Sequence, residues 1–215
     1  MSIQVCLNGL SFFNTRGDAI CEEVIPFNNP EEINLMLKKL RKLSSLVTIN
    51  IVSDNFVLIP AKLYNDEFLQ LYFRAKSLIY DSNKFSYFSD SSFGITMVVG
   101  CDKHLLESIK SFFSNIILLH PVSKVIKKSL ATSSLTFISS NQRCAIAYAK
   151  GGKLQFADLL PTTNQLDTIY YLKKIISDYS INDNHTIYSL SDSSYKRAEK
   201  GIAEQIKNQI KHENS

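Results

Sequence analysis

The sequence has no Cys-x-x-Cys pair. Its four cysteines, Cys6, Cys21, Cys101 and Cys144, are scattered, and none has a histidine beside it at metal-finger spacing. The four histidines, His104, His120, His185 and His212, are equally dispersed. No clustered metal or redox site is expected, and the cysteines read as buried, reduced thiols that pack as small hydrophobes. The seven glycines form no Walker or dinucleotide pattern, and no Gly-x-Ser-x-Gly elbow presents a nucleophile. Apolar runs such as Ile116 to Leu119 fall far short of the roughly 18–20 residues that span a bilayer. The opening Met-Ser-Ile-Gln-Val-Cys lacks a basic n-region and is interrupted by Gln4 and Asn8, so it does not read as a signal peptide. These absences predict a cytoplasmic chain without a membrane span.

What is present is an ordinary globular composition, 45% hydrophobic and 20% charged over 215 residues, enough for one large domain or two compact ones. The balance of 24 basic against 20 acidic residues gives a net charge of +4, a mild excess that names no partner.

Period-two alternation marks a strand at Ile3 to Leu7, with Asn8-Gly9 as a turn, a second strand from Ser11 to Thr15 and a third from Ala19 to Pro26. Asn29-Pro30-Glu31-Glu32 is a strong helix start, followed by Ile33, Met36, Leu37 and Leu40 on one face. Leu46 to Val52 reads as a buried crossover strand and Asn55 to Pro60 as a short one. A helix is expected over Asn65 to Ile79, with Phe68, Leu71, Tyr72, Ala75, Leu78 and Ile79 inward. Strands at Lys84 to Phe88 and Phe93 to Val99, a helix at Lys103 to Phe113, a strand at Ile116 to Leu119 and a helix opened by Pro121 follow.

The order then begins again. Leu135 to Ile138, Cys144 to Ala149 and Lys153 to Leu159 read as three strands, with turns at Asn141-Gln142 and Gly151-Gly152. A helix over Thr163 to Tyr179 and a strand over Thr186 to Leu190 complete the copy, and a last helix runs from Ser194 to about Lys211. Strand, strand, strand, helix, strand occurs twice with little residue identity, which predicts an internal duplication.

A three-stranded meander feeding a parallel crossover strand, used twice, resembles the duplicated ribonuclease H-like core of actin-like ATPases. The segments Val57-Leu58-Ile59-Pro60-Ala61-Lys62-Leu63-Tyr64, Gly152-Lys153-Leu154-Gln155-Phe156-Ala157-Asp158 and Asp167-Thr168-Ile169-Tyr170-Tyr171-Leu172 resemble the bacterial domain of unknown function 3822, as does the opening Leu7-Asn8-Gly9-Leu10-Ser11-Phe12. The resemblance implies an α/β chain of two lobes, 1–122 and 123–215, each with a mixed sheet and flanking helices. It implies no activity. The sequence departs from the family where a glycine is expected after Thr186 to Leu190 and Ser191-Asp192 stands instead.

Actin-like ATPases place a carboxylate, a glycine and a hydroxyl in the first hairpin of each lobe, so that amides cradle phosphate and the acid organises Mg²⁺. The hairpins here offer Asn8-Gly9-Leu10-Ser11 and Ser139-Ser140-Asn141-Gln142, without an acid. A neutral amide does not replace a charge that holds a divalent cation. Two-metal nuclease chemistry would need converging acids, one on the first strand, and Ile3 to Leu7 has none.

The expectation is a non-catalytic scaffold or interaction module whose partner is another protein, with no metal or cofactor. By analogy Asn8, Ser11, Ser140, Asn141, Ser191 and Asp192 lie nearest an interlobe cleft. The alternative is a degenerate ATP binder similar to actin-like adaptors of pilus and secretion assemblies. Nucleic-acid binding through Lys124, Lys127, Lys128 and the basic last helix ranks third, since such charges ordinarily form a solvated surface.

Overall fold

The computed structural model describes residues 1–6, 9–14, 19–20, 24–140, 142–181, 186–190 and 206. The chain divides into two compact units, Met1–His120 and Pro121–Ser215.

The first unit is built on five strands: β1 (Ser2–Val5), β2 (Gly9–Phe13), β3 (Ile25–Pro26), β4 (Leu46–Ile51) and, after an insertion, β8 (Asn115–Leu119). Their order is β3-β2-β1-β4-β8, antiparallel from β3 to β1 and parallel from β1 to β8. Alternation divides the sheet into two unlike faces. Ile3, Val5, Leu10, Phe12, Val47, Ile49 and Ile51 share one by register, and all are buried. Gln4, Ser11, Thr48 and Asn50 share the other.

Helix α1 (Pro30–Leu43) begins as its sequence dictates. The Asn29 side chain accepts the Glu32 N–H at 3.3 Å, Pro30 fills the first turn, and Glu31 and Glu32 face the positive end of the dipole. Ile33, Met36, Leu37 and Leu40 are its buried stripe. It lies against α3 (Lys103–Phe112), which buries Leu106 and Ile109 and is capped by Asp102.

Between β4 and α3 the chain inserts a second sheet of β5 (Phe56–Pro60), β6 (Phe85–Ser92) and β7 (Ile95–Asp102), ordered β5-β7-β6 and antiparallel throughout. Helix α2 (Leu69–Ala75) packs on it and is only seven residues long. Two 3-10 turns, Ala61–Leu63 and Asp66–Phe68, precede it, so the helix expected over residues 65–79 is half that length. The expected inward stripe also fails: Phe68, Leu71 and Ile79 are exposed, and Phe73 is the fully buried side chain. Phe73 packs edge-on against Tyr87, with Val57, Ile59 and Val98 around it. Phe93 turns the β6–β7 hairpin with φ 52° beside Gly94 instead of opening a strand.

The second unit repeats the strand order. Strands β9 (Leu135–Ser140), β10 (Arg143–Lys150), β11 (Lys153–Pro161) and β12 (Ile187–Ser189) form a sheet ordered β11-β10-β9-β12, with β12 parallel to β9 and the rest antiparallel. Gly151 and Gly152, both at positive φ, turn β10 into β11. Helix α5 (Gln165–Asp178) stands between the third and fourth strands, as α1 does in the first unit.

Both faces of the second sheet are covered. Ala145, Ala147 and Ala149 make one face of β10 low, and α4 (Pro121–Thr132) packs there, with Ser129 Oγ donating to the Ala147 carbonyl at 2.9 Å. On the other face Cys144, Ile146 and Tyr148 join Leu135, Phe137, Leu172 and Ile175 in the core, which Ile206 also enters. The remainder of the expected last helix lies outside the described residues.

Candidate functional site

In an open α/β sheet, ligands approach the carboxyl ends of parallel strands. Those ends in the first unit are Val5, Ile51 and Leu119. Ser11, Gln4 and Asn50 lie side by side there in one cross-strand row on the polar face. Ser11 is 9% exposed, with its hydroxyl 3.9 Å from the buried Cys6 thiol. The Asn50 Oδ1 is shut away from solvent with no hydrogen-bond partner among the described residues. Every member of the row is neutral.

Gly9 opens β2 and does not complete the turn expected at Asn8-Gly9. Any Cβ there would collide with the Ile25 carbonyl of β3. The glycine is thus required by strand packing, whatever else it does.

His120 follows β8 and is fully buried. Its Nε2 lies 3.0 Å from the Ser53 carbonyl, and since a carbonyl only accepts, Nε2 carries the proton. The ring packs 4.9 Å from Phe56. Burial pushes its pKa from 6.5 down to about 4, although the Ser53 bond opposes the shift. It is a neutral pin joining the end of β8 to the β4–β5 connection. Ser53 extends that joint, donating to the Gly100 carbonyl at 2.9 Å and accepting the Asn55 N–H at 3.1 Å.

Of the other residues singled out from sequence, Ser140 ends β9 opposite Arg143. Asn8, Asn141, Ser191 and Asp192 lie outside the described residues, as do Cys21, His185 and His212. Cys6, Cys101 and Cys144 are buried thiols that form no disulfide. Burial lifts the Cys101 thiol to about 12. Among the described residues no group of three or more His, Cys, Asp or Glu is placed to hold a metal ion. The Lys128 ammonium sits 4.4 Å above the Tyr188 ring.

Sequence reasoning missed a groove of about 470 Å³ between β11 and α5 in the second unit. Phe156, Asp158 and Leu160 line it from the edge strand, and Tyr171, Ile175 and Tyr179 from the helix. Lys174 and Asp178 also line it, four residues apart on the exposed side of α5. Asp158 is half-buried, in phase with two apolar neighbours, and its Oδ1 accepts the Leu159 N–H at 2.9 Å. A carboxylate on the core-facing side of a strand was the available signal.

The β11 strand carries one residue more than β10 at this point. Register shifts between Tyr148 and Ala149, which leaves Gln155 as the extra residue of a bulge. The Tyr179 hydroxyl donates to the Gln155 carbonyl at 3.2 Å and ties the end of α5 to that bulge.

The fold is that of actin-like ATPases. A Bacteroides thetaiotaomicron protein described as having an actin-like ATPase fold and unknown function superposes with a TM-score of 0.69 at 18% identity, over 97% of this chain and 87% of its own. A profile described as "Protein of unknown function (DUF3822)" matches residues 1–212, and the chain belongs to that family. Two further solved structures are similar over most of the chain. The cytoplasmic domain of EpsL, an inner membrane component of the Vibrio cholerae type II secretion system, has a TM-score of 0.47 at 11% identity, over 88% of this chain and 81% of that one. The ethanolamine utilization protein EutJ of Carboxydothermus hydrogenoformans has a TM-score of 0.44 at 9% identity, over 97% and 80%. No curated protein matches the sequence. No described helix is long and apolar enough to cross a membrane.

Proposed function

We propose that this chain is a non-catalytic protein of the actin-like ATPase fold that serves as a scaffold or interaction module for another protein. The observation that supports this reading is the row Ser11, Gln4 and Asn50 at the carboxyl ends of the parallel strands, where the side chains are amides and a hydroxyl. A neutral oxygen binds Mg²⁺ weakly without a carboxylate to compensate its charge. The buried, unbridged thiols of Cys6, Cys101 and Cys144 accord with a cytoplasmic location, where thiols stay reduced.

Purified protein incubated with ATP and Mg²⁺ tests the reading. The expected result is no phosphate release and no change in melting temperature. A ligand at about 100 times its dissociation constant adds about 2.7 kcal/mol to stability, so occupancy would be plain. Stabilisation without turnover would replace this reading with a quiescent nucleotide binder. Turnover would overturn it. Affinity capture from native lysate followed by reconstitution with the purified partner tests the interaction itself.

A further inference from the structure

We propose that the groove between β11 and α5 binds an ammonium or guanidinium group carried on an apolar stem. This rests on the second unit's geometry alone and stands or falls separately from the reading above.

Size comes first. At about 470 Å³ the groove falls within the roughly 300–1,000 Å³ of small-ligand pockets. Three of its eight lining residues are aromatic: Phe156 and Tyr179, with centroids 6.2 Å apart, and Tyr171, eight residues and so about two turns before Tyr179. Aromatic faces attract a cation and also bury the methylenes that carry it.

Charge then selects the sign. Lys174 and Asp178, four apart on the exposed side of α5, carry one charge of each sign, so with Asp158 the lining carries a formal charge of −1. Asp158, half-buried on β11, is the least exposed of these three charged groups. Its Oδ1 is held by the Leu159 N–H, which fixes the carboxylate while Oδ2 remains to accept from a ligand.

The β11 edge itself is guarded against strand addition. The bulge bends it, the Gln155 carbonyl is taken by Tyr179, the Leu159 N–H is taken by Asp158, and Pro161 has no N–H to offer. An extended peptide pairing along β11 would break these bonds. The geometry therefore favours a single cationic group entering from above, either a free amine or one basic side chain of a partner.

Isothermal titration of the full chain with n-butylammonium, agmatine and N-acetyl-arginine amide tests the site, with butan-1-ol as the neutral counterpart of n-butylammonium. All three cations should bind one to one, and butan-1-ol at least about tenfold more weakly than n-butylammonium. Asp158→Asn should weaken each cation about tenfold or more with an unchanged melting temperature. Tyr171→Ala, at a half-exposed helical position, supplies a second variant and should weaken them severalfold. Tighter binding of N-acetyl-arginine amide than of agmatine assigns the group to a partner's side chain, and the reverse assigns it to a free amine. No saturation below about 10 mM, equal binding of butan-1-ol, or cation affinities unmoved by both variants would overturn the proposal.

Discussion

His120 donates from Nε2 to the Ser53 carbonyl across 3.0 Å, inside a core that admits no solvent to the ring. Burial holds its pKa at about 4, against 6.5 for a free histidine. Between those values the unfolded chain takes up a proton that the folded chain refuses, so stability falls as pH falls through this window. By about pH 5 the loss from this residue amounts to about 2 kcal/mol, on 1.36 kcal/mol per unit. Carboxylates with ordinary pKa values remain mostly ionised there. Urea unfolding at about pH 7, 6 and 5 should show the decline. His120→Gln, which keeps a donor for Ser53, should flatten it, and an equally steep variant would contradict this account.

Gly100 and Asn55 are fitted to each other. The Gly100 N–H donates to the Asn55 carbonyl at 2.8 Å, and a Cβ on Gly100 would meet the Asn55 Nδ2 at 2.5 Å and the Tyr87 ring at 3.0 Å. Gly100→Ala should cost about 1–3 kcal/mol through this overlap. In an Asn55→Ala background the amide is gone, so the same substitution should cost distinctly less. A double-mutant cycle by chemical denaturation measures the difference, and strict additivity would show that the amide yields freely.

The parts of the fold legible in the sequence are those that local chemistry decides. Asn29-Pro30 with two glutamates starts α1 at the expected residue, and Gly151-Gly152 turns β10 into β11, because cap and turn residues act on their own backbone. The duplication was legible for the same reason, since β1-β2-β3-α1-β4 and β9-β10-β11-α5-β12 are written in alternation and turns. Helix α2 was not. Phe68, Leu71 and Ile79 have helical spacing, but the inserted sheet packs on Phe73, and tertiary contact overrides periodicity over so short an element. The groove was hidden because Asp158 and Tyr179 line one space only when the end of α5 reaches the β11 bulge, a relation between elements that neither segment encodes alone.

The approach of α4 to β10 depends on small side chains. Ser129 reaches the Ala147 carbonyl at 2.9 Å because the alanine face of β10 holds no larger residue there. Ala147→Leu should push α4 away and cost about 1–3 kcal/mol or more, as overpacked cores do. Ser129→Ala removes one buried hydrogen bond and leaves no bulk to accommodate, so it should cost about 1 kcal/mol. Thermal melts of the two variants rank the effects, and the order should be Ala147→Leu well below Ser129→Ala.

Thr168 offers the opposite case, a substitution that should stabilise. It is fully buried in the first half of α5, and its hydroxyl finds no hydrogen-bond partner among the described residues. The helix start does not depend on it: Asn164 accepts the Leu166 and Asp167 N–H groups, and Asp167 in turn accepts those of Thr163 and Asn164. Burying an unsatisfied hydroxyl costs about 1–3 kcal/mol. Valine keeps the branched shape and replaces that oxygen with a methyl group. Thr168→Val should therefore raise stability by about 1 kcal/mol, the remainder being lost to valine's restricted rotamers in a helix. A raised denaturation midpoint at unchanged slope would register the gain. A lowered one would mean that the hydroxyl is satisfied in solution, by water reaching the first turns of α5.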